Sequence, residues 1–243
     1  PLFTRADVEA AMRRVQPIAY DTRTTIAPGV DVCFRDAGHI LGSSIVEVFA
    51  DGRKLVFSGD LGPQGTPILR DPTPITQADL VLMESTYGDR NHRERLETVL
   101  ELGDIFERAY KEHGNVLIPA FAVGRSQELL YWFARHWDEW KLDRWHIFLD
   151  SPMAAKVIRA YERHTDLFDE DAQRVWRDKP TPFRLPNLHI TETLDNSMAI
   201  NRIEGGAIVI AGSGMANGGR IVHHLKHNLG RRNAHVVFPG YQA

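Results

Sequence analysis

From Arg93 onward, short apolar runs alternate with stretches of helical periodicity, and this alternation restricts the fold more than any other feature of the chain. The spacing predicts helices over Arg93–Glu112, Arg125–Trp140, Ala154–His164, Ser197–Ile203 and Gly219–Leu229. Strands are predicted over Asn115–Ala120, His146–Leu149, Leu188–Glu192, Ala207–Ala211 and His235–Phe238. A proline-interrupted stretch at Pro180, Pro182 and Pro186 precedes the third of these strands. Strands joined by crossover helices pair in parallel and take helices on both faces, so this half reads as a doubly wound α/β domain.

The chain before Gly88 reads differently. Thr4 to Val15 is a helix with Thr4 as cap and Asp7 three residues on, a start of the capping-box type. Strands then dominate, at Val30–Phe34, Ser44–Phe49, Lys54–Ser58 and Leu80–Met83, punctuated by Gly29, Asp51-Gly52 and a loop over Pro63–Pro74. Alternating residues on either side of Asp51-Gly52 make Ile45–Leu55 a hairpin.

Three of these apolar runs stop at a residue able to bind metal or move protons: His39 after Ala37-Gly38, Asp60 after Ser58-Gly59, and Glu84 after Leu82-Met83. Glycine beside a strand end lets the backbone turn tightly. A His, an Asp and a Glu converging on one sheet edge would suit hydrolytic metal chemistry, with neutral imidazole for zinc and carboxylates for bridging or proton transfer. Each also has a duller explanation. His39 could be a hydrogen-bonded loop residue, Asp60 a turn cap and Glu84 a strand-end carboxylate facing water.

The strings around these ends resemble the metallo-β-lactamase nucleases of the β-CASP group. Ala37-Gly38-His39-Ile40-Leu41-Gly42-Ser43, Ser58-Gly59-Asp60-Leu61-Gly62 and Glu84-Ser85-Thr86-Tyr87-Gly88 are similar to the group's later motifs. The run Pro119–Leu130 and the glycine-rich run Gly212–Gly219 resemble its inserted domain. The resemblance implies an α/β fold: residues 1–88 as the C-terminal part of a metallo-β-lactamase αββα sandwich, then a doubly wound β-CASP domain over 89–243. It implies a zinc-dependent ribonuclease of the RNA-processing branch, with two Zn2+ in the whole active site. His39 would be a ligand, Asp60 a bridge between the metals, and Glu84 the acid that orients a later catalytic histidine. The family's upstream His-x-His-x-Asp-His string does not occur here, nor do its later histidine motifs, and the first residue is Pro1 rather than Met. The expectation is therefore a central portion of a longer nuclease, weakly metallated and inactive by itself. A non-catalytic RNA-binding paralogue and a DNA-repair nuclease of the same superfamily are the alternatives. A small-molecule thioester or lactam hydrolase is disfavoured by the long α/β half.

Two glycine-containing turns precede helices in the second half, and they suggest where RNA phosphate would be held. Gly124, Arg125 and Ser126 form one, and Ser213, Gly214, Gly218, Gly219 and Arg220 the other. Helix N-termini with unpaired N–H groups bind anions, and each turn carries an arginine. His223, His224 and His227 with Lys226 read as a solvated basic face rather than a zinc pair, and Trp132, Trp137, Trp140 and Trp145 as packing against the sheet. Composition adds little. A net charge of −3 argues against a broadly basic surface but leaves a local groove open, and the single Cys33 cannot form an internal disulfide. A cytoplasmic, membrane-free RNA enzyme fits these facts, and a homodimer is compatible with them.

Overall fold

The computed structural model describes residues 2–178, 183–240 and 242. Pro1, Pro180 and Pro182, which figure in the sequence reading, lie outside the described residues. The chain divides into two units, Pro1–Gln64 with Asp71–Glu84, and Gly65–Arg70 with Ser85–Ala243. The boundary thus falls at residue 84, not 88, and six residues of the Pro63–Pro74 loop join the second unit. They do so by pairing: Leu69 bridges Phe168, and Arg70 Nη2 donates to Asp166 O at 2.6 Å.

The first unit opens with α1 (Arg5–Met12), capped as its sequence predicts. Thr4 N–H donates to Asp7 Oδ2 at 2.7 Å while Asp7 N–H donates back to Thr4 Oγ1 at 3.4 Å. One sheet follows, in the order β1 (Thr24–Ala27), β2 (Val30–Asp36), β3 (Ser44–Ala50), β4 (Arg53–Phe57), β5 (Leu80–Leu82). The first four strands are antiparallel neighbours and β5 is parallel to β4. The β3–β4 turn places both Asp51 and Gly52 in the left-handed region, at φ 50° and 73°, the geometry that matches hairpin twist. β1 was not foreseen; it is a short edge strand, exposed beyond its first residue. β5 differs in another way. A continuous apolar run reads as a strand buried on both faces, yet Leu80, Val81 and Leu82 are each about half exposed.

Glu47 on β3 is a buried carboxylate between two cations. Arg35 Nε donates to its Oε2 at 2.7 Å and Lys54 Nζ pairs with its Oε1. Burial would raise its pKa, but these two partners outweigh it and hold the carboxyl below its ordinary range.

The second unit is built on a parallel sheet ordered β10 (His235–Val236), β6 (Val116–Pro119), β9 (Ala207–Ala211), β7 (His146–Asp150), β8 (Leu188–Ile190). Both faces are covered, as a parallel sheet requires. On one, Leu117, Val209 and Ala211 pack with Ile200 of α6 (Leu194–Ile200) and Ile221 of α7 (Arg220–Asn228). Strand alternation turns Ile118, Ile147, Leu149, Ile208 and Ile210 to the other face, and all five are fully buried. Phe106 of α2 (Arg95–Lys111) anchors an aromatic cluster, with ring centroids 5.4 Å from Phe133 of α3 (Arg125–Arg135), 5.5 Å from Trp140 and 6.2 Å from Trp145. That cluster also explains why α3 stops at Arg135 instead of reaching Trp140. His136 stacks on Trp140 at 4.6 Å and Lys141 turns left-handed at φ 48°, which carries the Trp140 ring into the core.

α4 (Pro152–Arg163) follows β7, with Ser151 as cap and proline in the first turn. α5 (Glu170–Asp178) was not foreseen, although Asp169 caps it by accepting Ala172 N–H at 2.6 Å. No described helix is long and apolar enough to cross a membrane.

Candidate active site

Three loops leave one edge of the first sheet. β2 and β4 flank the antiparallel β3 and so run in the same direction, and β5 is parallel to β4. The residues that follow these strands, His39, Asp60 and Glu84, therefore emerge at the same edge.

Two of the loops are locked together through glycine. Gly62 N–H donates to Ala37 O at 2.8 Å, and a Cβ on Gly62 would stand 1.7 Å from Gly38 O, so no other residue permits this approach. Beneath them Ala37, Ile45 and Val56 form a small buried cluster with Leu61 and Ile75 against it. Asp36 Oδ1 accepts Gly38 N–H at 2.9 Å, and Ser43 Oγ accepts the N–H groups of His39 and Ile40 at 3.1 and 3.2 Å. The loop that presents His39 is thus held by side chains on both sides, and the imidazole itself is exposed.

Glu84 acts on the neighbouring loop. Its Oε1 accepts Leu61 N–H at 2.8 Å, and its own N–H donates to Ser58 Oγ at 3.0 Å. The half-buried carboxylate therefore braces the residue that follows the exposed Asp60.

His39 and Asp60 present the donor types that zinc accepts, an imidazole and a carboxylate. A catalytic zinc keeps three protein ligands, and among the described residues there is no group of three or more His, Cys, Asp or Glu side chains able to hold a metal ion. The residues present supply part of such a site, and the donor count does not make a whole one.

In the second unit the two glycine turns lie at the carboxyl edge of the sheet, after β6 and after β9. The first is closed on itself. Gly124 N–H donates to Gln127 Oε1 at 2.8 Å, Arg125 N–H to Val123 O at 3.2 Å, and Ser126 places both its N–H and its hydroxyl on Phe121 O, at 3.3 and 2.7 Å. These donors were expected to be free for anions; instead the Gln127 side chain takes one and the Val123 and Phe121 carbonyls take the others. Arg125 pairs with Glu128 at 2.5 Å and keeps 39% of its side chain exposed.

The second turn is folded on its own backbone. Ser213 N–H donates to Gly218 O at 3.1 Å, Ser213 Oγ donates to Asn217 Oδ1 at 2.7 Å, and Ile221 N–H to Gly212 O at 3.0 Å. Gly219 takes φ 73°, where its missing Cβ would stand 2.3 Å from Gly212 O. Gly214 and Gly218 complete the loop. The Arg220 guanidinium donates to Asp150 Oδ1 at 2.7 Å, Thr191 O at 3.0 Å and Glu192 O at 2.9 Å. Its charge is paired within the fold, against Asp150.

Asp150, at the end of β7, was not picked out by sequence reasoning although Leu149-Asp150-Ser151 repeats the strand-end acid pattern. Besides Arg220 it accepts the Thr191 hydroxyl on Oδ1, and on Oδ2 the Ser197 hydroxyl at 2.6 Å and His224 Nε2–H at 2.7 Å. Burial alone would raise its pKa, but the hydrogen bonds from His224, Ser197, Thr191 and Arg220 win and hold it at about 2. His224, expected on a solvated face, is buried, with Nδ1 2.8 Å from Asn201 Oδ1; His223 and His227 are exposed.

Known proteins resemble the chain along its length. Residues 126–243 match the Beta-Casp domain. Over 242 residues the chain is 44% identical to a ribonuclease of Thermus thermophilus, covering 100% of this chain and 56% of that protein. It is 30% identical over 247 residues to the transcription termination factor FttA of a Lokiarchaeum species, covering 99% of the chain and 38% of the relative. It is 26% identical over 249 residues to the cleavage and polyadenylation specificity factor subunit 3 of Dictyostelium discoideum, covering 99% of the chain and 30% of that protein. The chain thus spans little more than half the length of the first of these relatives and less of the others. The second unit thus carries a Beta-Casp domain, and along its whole length the chain is similar to proteins named as a ribonuclease, a transcription termination factor and a cleavage and polyadenylation factor subunit.

Proposed function

We propose that the protein to which these residues belong hydrolyses RNA phosphodiester bonds, with the carboxyl edge of the first sheet as the reaction site. The observation that carries this reading is the approach of Gly62 to Gly38, which fixes the His39 and Asp60 loops side by side on one edge. The relatives' names, a ribonuclease and endoribonucleases among them, support the substrate class.

In this reading His39 and Asp60 are ligands of a zinc centre completed by donors beyond these 243 residues. Zinc at such an edge supplies a Lewis acid for a phosphoryl oxygen and lowers the pKa of water. The chain's own contribution is placement. Ser43 fixes the backbone of His39, Glu84 fixes Leu61 and with it Asp60, and the close glycine contact leaves neither loop room to shift. Arg125, partly exposed beside the carboxyl edge of the second sheet, and the Gly214–Gly219 loop are the groups we assign to RNA phosphate.

The test uses the full-length protein with a labelled single-stranded RNA and a DNA of the same sequence. Asp60→Asn and His39→Ala should each lower RNA cleavage by at least about a hundredfold, as loss of metal-borne charge stabilisation does, and should lower bound zinc with an unchanged far-UV circular dichroism spectrum. Wild-type cleavage rates in Asp60→Asn would sink the assignment of the edge. Equal cleavage of the DNA would sink the assignment to RNA.

A further inference from the structure

The loop after β6 holds an aromatic ring half in solvent. Phe121 is 49% exposed and Phe238 after β10 51%, whereas Phe106, Phe133, Phe168 and Phe183 of the same unit are fully buried. An exposed phenyl gives up the burial that normally makes the residue stabilising, so its position is informative only if the fold fixes it. The fold does. Phe121 O accepts both donors of Ser126, which is itself 1% exposed. Gly214 lies against the ring: a Cβ there would stand 2.6 Å from Phe121 Cδ2 and 2.8 Å from Cε2. Gly214 is held in turn, because its carbonyl accepts Gln242 Nε2 at 2.9 Å. The ring is thus seated on backbone at one side and open at the other.

We propose that Phe121 is a stacking platform for one nucleobase of an RNA strand bound along the carboxyl edge of the second sheet, an inference that rests on the RNA reading above. A phenyl ring has no hydrogen-bonding group and takes any base by its face, so it holds a strand without reading its sequence. Arg125 follows four residues later; its guanidinium pairs with Glu128 but 39% of its side chain stays exposed, so it can also meet a stacked nucleotide's phosphate. The two loops beside the ring are mostly glycines and small or polar residues, Gly124, Ser213, Gly214, Asn217 and Gly218. Their other large apolar residues, Val123 and Met215, are partly buried rather than gathered into an exposed patch of the kind a protein-docking surface shows. Gly214 has its own place in this arrangement: any side chain there would push the platform off its seat.

The experiment measures binding of a labelled single-stranded RNA of mixed sequence to the full-length protein in chelator, with a set of strands each carrying one abasic position. Wild type should lose affinity roughly tenfold to a hundredfold at one abasic position, the range for a single base–aromatic stack. Phe121→Leu should bind the intact strand more weakly by the same factor and be indifferent to that position, with the salt dependence unchanged. Phe121→Trp should restore both the affinity and the sensitivity, and Gly214→Ala should behave like Phe121→Leu. Melting temperature monitors folding, and Phe121→Trp keeps the test decisive if the leucine variant is unstable. Wild-type affinity in Phe121→Leu, or the same abasic profile in both, overturns the platform while leaving RNA binding intact. No RNA binding by wild type overturns the RNA reading itself and the platform with it.

Discussion

Replacing Asp150 by Asn should be the most damaging polar substitution in the second unit. The carboxylate is fully buried and accepts four hydrogen bonds, from Thr191 at the end of β8, Ser197 on α6, and Arg220 and His224 on α7. An amide in its place keeps one acceptor oxygen and turns an NH2 group toward donors, and it leaves the half-buried Arg220 guanidinium without its counter-charge. Breaking a buried ion pair by removing one partner costs about 3–5 kcal/mol. The pH dependence gives a second, independent figure. Holding the carboxyl at about 2 rather than 3.8 corresponds to roughly 2 kcal/mol of folding free energy. Because the folded value is depressed, that stabilisation is complete above pH 3.8, where the unfolded chain titrates, and is lost as pH falls toward 2; about 1 kcal/mol should be gone by pH 3.

The substitution figure is larger because it adds the misdirected amide to the loss of charge. All five tryptophans lie in the second unit, so urea unfolding followed by tryptophan fluorescence reports the unit that contains Asp150. Wild type and Asp150→Asn should differ by about 3–5 kcal/mol at pH 7, and the gap should narrow by about 1 kcal/mol between pH 5 and pH 3. A loss under about 1 kcal/mol, the worth of an ordinary hydrogen bond, would refute the reasoning. So would pH profiles that run parallel.

Two further substitutions probe the first unit. Gly62→Ala should destabilise it by about 1–3 kcal/mol, the cost of forcing atoms into a packed site, and should lower RNA cleavage by the full-length protein, because the new Cβ meets the Gly38 carbonyl on the loop that carries His39; circular-dichroism melts and cleavage rates check it. Glu47→Ala should cost about 2–3 kcal/mol in urea unfolding followed by far-UV circular dichroism, below the figure for a fully buried pair because Arg35 and Lys54 still reach water. Since the Glu47 carboxyl is held below its ordinary range, wild type should lose part of this advantage as the solution is acidified below pH 4.5, and the variant should not.

What could be read from the sequence was what neighbours along the chain decide. The β3–β4 hairpin follows from two residues able to take positive φ, and the α1 cap from a Thr and an Asp three positions apart. The strand-end positions of His39, Asp60 and Glu84 follow from apolar runs that stop at polar residues, and their shared edge from the direction of the strands. Where the local rule and a distant partner compete, the local rule fails. Arg220 beside a glycine turn looks like a phosphate ligand because its true counter-charge, Asp150, is 70 positions away. The Gly124 turn looks like a set of open donors, yet Gln127 at the third helical position reaches back to close it. A Gln three residues after the turn is the local signal of that closure, since its side chain can accept the N–H of the residue before the helix.

His224 shows how much one more local rule would have recovered. Ile221, His224 and Asn228 lie three and four residues apart and form the buried stripe of α7. Helical periodicity alone assigns His224 to that stripe, while His223 and His227 fall on the exposed side. Periodicity could not supply the reason a histidine is tolerated there. A buried imidazole needs partners for both nitrogens, and they come from Asp150 on β7 and Asn201 just after α6. Asp150 and α7 meet only through the sheet, so the identity of residue 224 is decided by tertiary structure even though its burial is decided by the helix. The same division applies at Phe121: its place after a strand is local, but the seat that leaves one face of its ring open belongs to Gly214, on the loop after another strand of the sheet.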